Sequence, residues 1–394
     1  MSPRLATFLF FLVNGVVIGT WVAAIPGIKD DLGASGTDFG FALLFAPLGA
    51  LVAQQVTGQM LVRISSRRIL TVSALIFPWL VLLPIAAPSL LLVAAALFVF
   101  GYTNTTMDVS MNAHGVALED AGGKSIMSGL HAGWSLGGIV GAMAIALAIA
   151  VDVAPLMGAF EVAVLLWLLV VVAARRLGTG SVRTEGASGI HLPSRAVLPL
   201  AGLIVLIAFV EGGLTDWGGV YLDEGVGASE SVAAMAYAAL SLGLFVGRMG
   251  GDWVKDRIGA IRLTQLGMLL TAAAIVAFLL VAEPWVGLAG MFVAGLGLAN
   301  TIPQIFAAAG RIPPGGPSLS AVFTTLTLAF VVGPPLIGVT SDALGIEGAF
   351  WLFVVASLVA ALLVARVPSA CLLYTSPSPR DHSRYLVCRL LLEQ

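Results

Sequence analysis

The feature that most constrains this chain is a series of long apolar runs, which recur along almost the whole sequence. Each run has about 18 residues or more, enough for a helix to cross a hydrocarbon core about 30 Å thick. We interpret these runs as twelve transmembrane helices. Their predicted spans are 6-26, 38-61, 69-87, 90-113, 126-149, 154-174, 197-220, 231-251, 262-282, 285-308, 317-340 and 345-366.

The composition excludes an ordinary soluble protein. Hydrophobic residues make up 59% of the 394 residues and charged residues only 10%, whereas about 25% of the residues of a soluble domain are charged. A membrane β-barrel would instead show short segments of alternating hydrophobicity. The sequence therefore predicts an all-α membrane protein in contact with the lipid bilayer, and we expect a monomer.

Charged residues in the predicted loops separate by sign if the helices simply alternate in direction. Before the C-terminal tail, every arginine and lysine except Lys29 falls on the side that carries both termini. The opposite loops are acidic, for example at Asp30, Asp223 and Glu224. By the positive-inside rule, both termini are predicted to be cytoplasmic, in the inner membrane of a bacterium.

The two halves of the sequence are related by a nearly constant shift. A shift of 194 residues places Gly49 on Gly243 and Arg63 on Arg257, and a shift of 192 places Gly141 on Gly333. Six spans separate the members of each pair, so the halves have the same orientation. The sequence thus predicts a parallel repeat of two six-helix bundles about an axis along the membrane normal.

Two segments differ in composition from the spans. Residues 175-196 are polar and rich in glycine and arginine, which predicts a linker between the bundles. Residues 368-394 contain a serine- and proline-rich stretch, which indicates a disordered tail or a translated cloning scar. The predicted domains are therefore a first bundle over 1-174 and a second bundle over 197-367.

A motif follows the eighth predicted span, and a weaker copy containing Arg63 follows the second. The motif is Gly251-Asp252-Trp253-Val254-Lys255-Asp256-Arg257-Ile258-Gly259. It resembles the cytoplasmic signature of the major facilitator superfamily, and the resemblance covers about residues 5-367. The resemblance implies the major facilitator fold and a gate on the cytoplasmic side. The implied gating residues are Arg63, Asp252, Asp256, Arg257 and Gly259.

The fourth span narrows the resemblance. Asp108 is followed four residues later by Asn112, and this pair is similar to the fourth helix of the fucose-permease-like branch. The branch implies proton-coupled uptake of a sugar or a related polyol. The first span lacks the second carboxylate of those permeases and offers Asn14 instead.

Asp108 is also singled out by physics alone, because a carboxylate in a lipid-spanning helix should face a wet cavity or a partner. Asn104, Asp108 and Asn112 are spaced at four residues, which places them on one helix face. The alternative is a polar contact that only holds helices together. His131 is predicted at a similar depth, and we hypothesise that it relays protons with Asp108. A histidine that is simply packed explains the position equally well.

Polar and aromatic side chains within other spans are candidates for binding a solute, because amides and carboxylates bond hydroxyl groups and an indole packs on a sugar ring. Trp217 is equally explained as an anchor at the membrane interface. The full predicted binding set is Asn14, Asn104, Asn112, Trp134, Glu211, Asn300 and Gln304.

The sequence contains no nucleotide-binding loop, no metal-ligand spacing and no basic patch for nucleic acid. We therefore predict no catalytic residues and no cofactor. The predicted function is secondary active transport of a small polar solute, driven by an ion gradient. Proton-driven efflux of a small amphipathic compound is the first alternative. An integral membrane enzyme or a solute sensor that does not transport is the alternative from another class.

Overall fold

The computed structural model describes residues 1–122, 126–178, 193–312 and 315–365, and within these ranges all secondary-structure elements are helices. The side chains of Ser128, Asp252 and residues 315–317 also lie outside the description. Within the described ranges, eleven helical stretches are long and apolar enough to cross a membrane. The last stretch turns at Gly345 and comprises two spans. The prediction of twelve transmembrane helices is confirmed.

In the described residues, the first half contains six spans, some of which are interrupted by single non-helical residues. They are α1, Pro3–Asp31; α2, Gly36–Leu43 with Phe45–Arg63; α3, Ser66–Leu80 with Leu82–Ile85; α4, Leu90–Gly122; α5, Met127–Ala150; and α6, Pro155–Ala174.

The second half repeats this arrangement. Its spans are α7, Leu198–Val220, continued by a π-helical turn over Tyr221–Gly225; α8, Glu230–Ala234 with Ala236–Ile258; α9, Ala260–Val281; α10, Pro284–Leu298 with Thr301–Ala309; and α11 and α12, the parts of Gly315–Val364 before and after Gly345. Gly345 has φ 78°, a left-handed conformation that glycine adopts without strain. This turn reverses the chain between α11 and α12.

The internal repeat is visible in how helices pack. Gly49 of α2 lies so close to the carbonyl oxygen of Phe98 in α4 that a Cβ atom would overlap it. Gly243 of α8 has the same relation to the carbonyl oxygen of Phe292 in α10. Both pairs are related by the shift of 194 residues, so the two bundles use the same close backbone contact.

The two halves meet tightly at the end of the bundle opposite to the termini. Lys29 of α1 forms an ion pair with Glu224, which follows α7. The carboxylate of Asp342, near the end of α11, accepts hydrogen bonds from the backbone nitrogens of Gly36 (2.7 Å) and Thr37 (2.8 Å) at the start of α2. A carboxylate is favourable at the positive end of the α2 dipole. These five residues define what we call the closed face.

The same end of the bundle also buries Trp217. Its indole ring is fully buried and packs edge-on against Phe39 of α2, with ring centroids 6.4 Å apart. Trp217 is therefore a packing residue between the halves, and the interpretation of this side chain as a membrane-interface anchor was wrong.

Two predicted segments fall largely outside the described residues. Of the linker 175-196, only residues 175–178 and 193–196 are described. The tail 368-394 is not described at all.

Candidate functional site

Three of the predicted binding residues form one hydrogen-bonded network inside the first half. Nδ2 of Asn14 in α1 donates to Oδ1 of Asn104 in α4 (2.9 Å). Nε1 of Trp134 in α5 donates to Oδ1 of Asn14 (2.8 Å). Asn14 is only 1% exposed, whereas Asn104 and Trp134 are half-buried. Asn14 thus holds the other two side chains in place, and they remain accessible.

Asp108 lies one turn from Asn104 on the same face of α4 and is half-buried. Its Oδ1 accepts a hydrogen bond from Nδ2 of Asn112 (3.1 Å), and the same nitrogen lies 2.9 Å from the backbone oxygen of Asp108. The stripe of Asn104, Asp108 and Asn112 therefore continues the network along α4. The hydrogen-bond donor to the Asp108 carboxylate is thus a residue of its own helix.

His131 is an exposed side chain in the first turns of α5. Its ring packs edge-on against Phe11 of α1, with ring centroids 5.2 Å apart. No hydrogen bond joins His131 to Asp108, although both side chains are within the described part. The proton-relay pair therefore stays a hypothesis.

Arg248 of α8 was not predicted as a site residue, and it lies at the contact between the halves. Its Nη1 donates to Oγ of Ser135 in α5 (2.8 Å), and its Nε lies 3.4 Å from the backbone oxygen of Ala299 in α10. The guanidinium charge also acts on His131 and on Glu211. A cation is thus placed beside the predicted polar residues.

Glu211 and Asp216 are half-buried carboxylates on α7. Glu211 was predicted and Asp216 was missed, although a carboxylate within an apolar span is the signal that identified Asp108 and Glu211. Arg248 was missed because it was counted with the basic residues of the termini side. The signal that could have identified Arg248 is its place in the span. It lies roughly 15 Å along α8 before the helix ends at Ile258, which is too deep for a residue of the cytoplasmic loop.

Asn300 and Gln304 occupy α10. Nδ2 of Asn300 donates to the backbone oxygen of Gly247 in α8 (2.9 Å). This bond joins α8 to α10 where the helical hydrogen bonding of α10 is interrupted, and the amide is used in packing. Gln304, one turn further along, is half-buried.

The predicted gating residues lie at the end of the bundle that carries the termini. Arg63, Asp256 and Arg257 are exposed, and the guanidinium of Arg257 lies 3.5 Å above the ring of Trp253 on its own helix. Gly259 has φ 83° and ends α8. The side chain of Asp252 lies outside the described residues.

Comparison with known proteins shows the family of this chain. The family model of the Major Facilitator Superfamily matches residues 5–317 and 219–384. The chain belongs to the major facilitator superfamily. It is therefore a multi-pass membrane transporter of a bacterial family, and the prediction that it is not an enzyme is confirmed. In the described residues, no group of three or more His, Cys, Asp or Glu side chains could hold a metal ion.

Curated relatives match this chain over most of its length. It is 31% identical to the membrane protein MosC of Rhizobium meliloti, with 88% of this chain and 85% of MosC covered. It is 28% identical to an uncharacterised transporter of the same type from Yersinia pestis, with 89% of this chain and 92% of that protein covered.

Solved structures share the fold. The nucleoside transporter NupG superposes with a TM-score of 0.70 at 12% identity, covering 95% of this chain and 100% of NupG. A bacterial homologue of the human lysosomal transporter Spinster, inward-facing and occupied, gives a TM-score of 0.72 at 16% identity, covering 95% and 98%. At these identities the likeness concerns the fold alone, and it confirms the predicted arrangement of two six-helix bundles.

Proposed function

We propose that this superfamily member takes up a small polar solute, such as a sugar or polyol, together with protons. The observation that carries the proposal is the position of Asp108, a carboxylate one turn from Asn104 on the same face of α4. A solute held by the network of Asn14, Asn104 and Trp134 would lie next to a group able to take up a proton. Solute binding and protonation would then influence each other.

The chemistry of the network fits a hydroxylated solute. An amide offers both a donor and an acceptor to hydroxyl groups, and an indole face packs on a sugar ring. Asn104 and Trp134 are the accessible members, and Asn14 positions both of them. A sugar moiety is also part of a nucleoside, the solute class that the structural neighbour NupG is named for. We keep the assignment to the fucose-permease-like branch as a proposal, supported by Asp108 and Asn112.

Alternating access requires that the closed face opens. We propose that the two bundles, residues 1-174 and 197-367, rock against each other about the polar network, with the segment 175-196 as their linker. Opening would separate Lys29 from Glu224 and Asp342 from the start of α2. With both termini in the cytoplasm, as we propose, the closed face would lie on the outer side of the membrane.

Uptake into membrane vesicles tests this function. Sugars and polyols are offered with and without an inward proton gradient, to wild type and to Asp108→Asn. Gradient-driven accumulation is expected in wild type, and only exchange in Asp108→Asn, because the amide cannot take up a proton. Asp120→Asn, an exposed residue on the same helix with the same loss of charge, is the matched control and should behave as wild type.

The result also separates the competing functions. If no hydroxylated solute, neutral or acidic, accumulates in wild type, uptake of this class is excluded and proton-driven efflux becomes the leading function. Binding of a solute without any accumulation would instead indicate a sensor.

A further inference from the structure

Arg248 is a positive charge inside the membrane-spanning part of the second half. Its two hydrogen-bond acceptors within the described ranges, the hydroxyl of Ser135 and the backbone oxygen of Ala299, are both neutral. The side chain is half-buried. Its contact with Ser135 shows that the guanidinium points towards the first half rather than towards lipid.

Among the described residues, the guanidinium has no counter-ion in contact. No carboxylate in that part of the chain lies within 4 Å of it, and the ion pair recorded there, between Lys29 and Glu224, belongs to the closed face. Glu211 and His131 lie close enough to interact electrostatically with Arg248, but neither forms a hydrogen bond or an ion pair with it. A charged side chain within a membrane is normally paired with an opposite charge. The guanidinium of Arg248 is therefore a candidate site for an anionic group.

This position adjoins the polar network. Ser135, which accepts from Arg248, follows Trp134 directly in α5, and the indole of Trp134 donates to Asn14. The guanidinium and the amides thus flank the same stretch of α5. A small molecule could contact both with different groups.

We propose that Arg248 binds an anionic group of the solute, so that the transported solutes are small hydroxylated carboxylates such as sugar acids. The inference rests on the proposed transport function and narrows its substrate class. Two parallel N–H groups of a guanidinium match the two oxygens of a carboxylate. Nη2 of Arg248 makes no hydrogen bond within the described residues and is available for this contact. The hydroxyl groups of the solute would be bound by Asn104 and packed on Trp134.

Equilibrium binding to the purified full-length protein tests the proposal. The probes are D-gluconate and D-galacturonate, compared with the neutral D-galactose and myo-inositol. We expect the acids to bind more tightly than the neutral compounds. Arg248→Gln should weaken binding of the acids by about 10- to 100-fold, as loss of a charged hydrogen-bond partner does. It should change binding of the neutral compounds by less than about twofold.

Two further variants separate charge from geometry. Arg248→Lys keeps the charge but loses the forked donors, so an intermediate loss of acid binding is expected. Arg262→Gln removes an exposed arginine of α9 and gives the same change in net charge, so it should bind the acids as wild type does. Thermal unfolding of each variant identifies those that fold. If Arg248→Gln does not fold, the binding of acids and neutral compounds is compared between wild type and Arg248→Lys instead.

A purely structural role of Arg248 makes a different prediction. If the residue only tethers α8 to α5, Ser135→Ala and the Arg248 variants would weaken acids and neutral compounds to the same extent. That result would overturn the proposal.

Uptake distinguishes failure of this inference from failure of the proposed function. Accumulation of the acids, abolished in Arg248→Gln, supports both. Accumulation of neutral sugars without any accumulation of the acids overturns the anionic site and leaves the transport function intact. If neither class accumulates, the uptake function falls, and the binding measurements alone decide the anionic site: weaker binding of the acids in Arg248→Gln supports it, and equal binding in both proteins overturns it.

Discussion

The helix pair α1 and α5 and its repeat counterpart, α7 and α11, are packed in different ways. In the first half, Gly141 of α5 lies against the carbonyl oxygen of Val16, and a Cβ atom would overlap that oxygen. In the second half, the repeat partner Gly333 has only a ring atom of Phe209 near it, 3.6 Å from an ideal Cβ position. The first interface is a close backbone contact, and the second is filled by aromatic side chains.

The difference indicates that the two bundles have diverged in how their interiors are built. Close approach of α1 and α5 brings Asn14 and Trp134 within hydrogen-bonding distance. At the position equivalent to Asn14, the second half has Ala208, which is fully buried. The second half carries Glu211 and Arg248 within its spans, and in the described residues neither contacts an opposite charge. We expect the first half to act as the rigid frame of the polar network.

Substitution at the repeat-related glycines should give the largest contrast. Gly141→Ala should destabilise the protein by about 3 kcal/mol, because a methyl group forces the backbones of α1 and α5 apart. Gly333→Ala should change the stability by less than about 1 kcal/mol, since its Cβ meets an ordinary contact. Thermal unfolding of both variants in detergent measures the difference. Equal losses of stability in the two variants would show that the two interfaces do not differ in how closely their helices approach.

Removal of the central amide tests the polar network. Asn14→Ala, which makes the first half resemble the second, should lose about 1–2 kcal/mol because Nε1 of Trp134 is left without its acceptor. Solute binding should also weaken, since Asn104 and Trp134 lose their common partner. Unfolding and binding measured on the same preparation check both effects. Gln265→Ala, which breaks a single bond to the backbone oxygen of Ala361, is the matched amide in the second half and should leave binding unchanged.

The contact between the second and fourth helix of each half gives a smaller contrast. Oγ1 of Thr57 donates to Oγ1 of Thr106 (3.1 Å), and the same positions in the second half hold Gly251 and Asn300. Thr57→Val should cost about 0.6 kcal/mol, the typical value of a hydrogen bond between membrane helices. Thermal unfolding with Thr106→Val as a second variant measures it. A loss above about 2 kcal/mol in either variant would show a role beyond this bond.

The exposed arginines at the termini end should give the smallest effects. Arg257→Gln should cost about 0.5 kcal/mol, because it removes an exposed cation from the face of Trp253. Its repeat partner Arg63 has no such ring in contact within the described part of the chain, so Arg63→Gln should have no measurable effect on unfolding. A larger effect on transport than on stability in both variants would support the gating role that the sequence motif predicts for these arginines.

The helical spans were predictable because hydrophobic length is a local property of the sequence. Boundaries were less accurate where polar residues continue a helix beyond the lipid, as in α4, which extends to Gly122 rather than 113. The stripe of Asn104, Asp108 and Asn112 was also predictable, because helical periodicity alone places these residues on one face. Their partners were not predictable, because hydrogen bonds between helices depend on how each helix is rotated.

The sequence by itself determined the solvent, the twelve spans, the parallel repeat and the presence of carboxylates where lipid would not tolerate them. The tertiary structure alone decided that Asn14 joins Asn104 to Trp134, that Arg248 reaches across to Ser135, and that Asp342 closes the end of the bundle opposite to the termini. The physical reason is that apolar length and periodicity are fixed within each helix. The pairing of polar groups depends on packing between residues far apart in the chain.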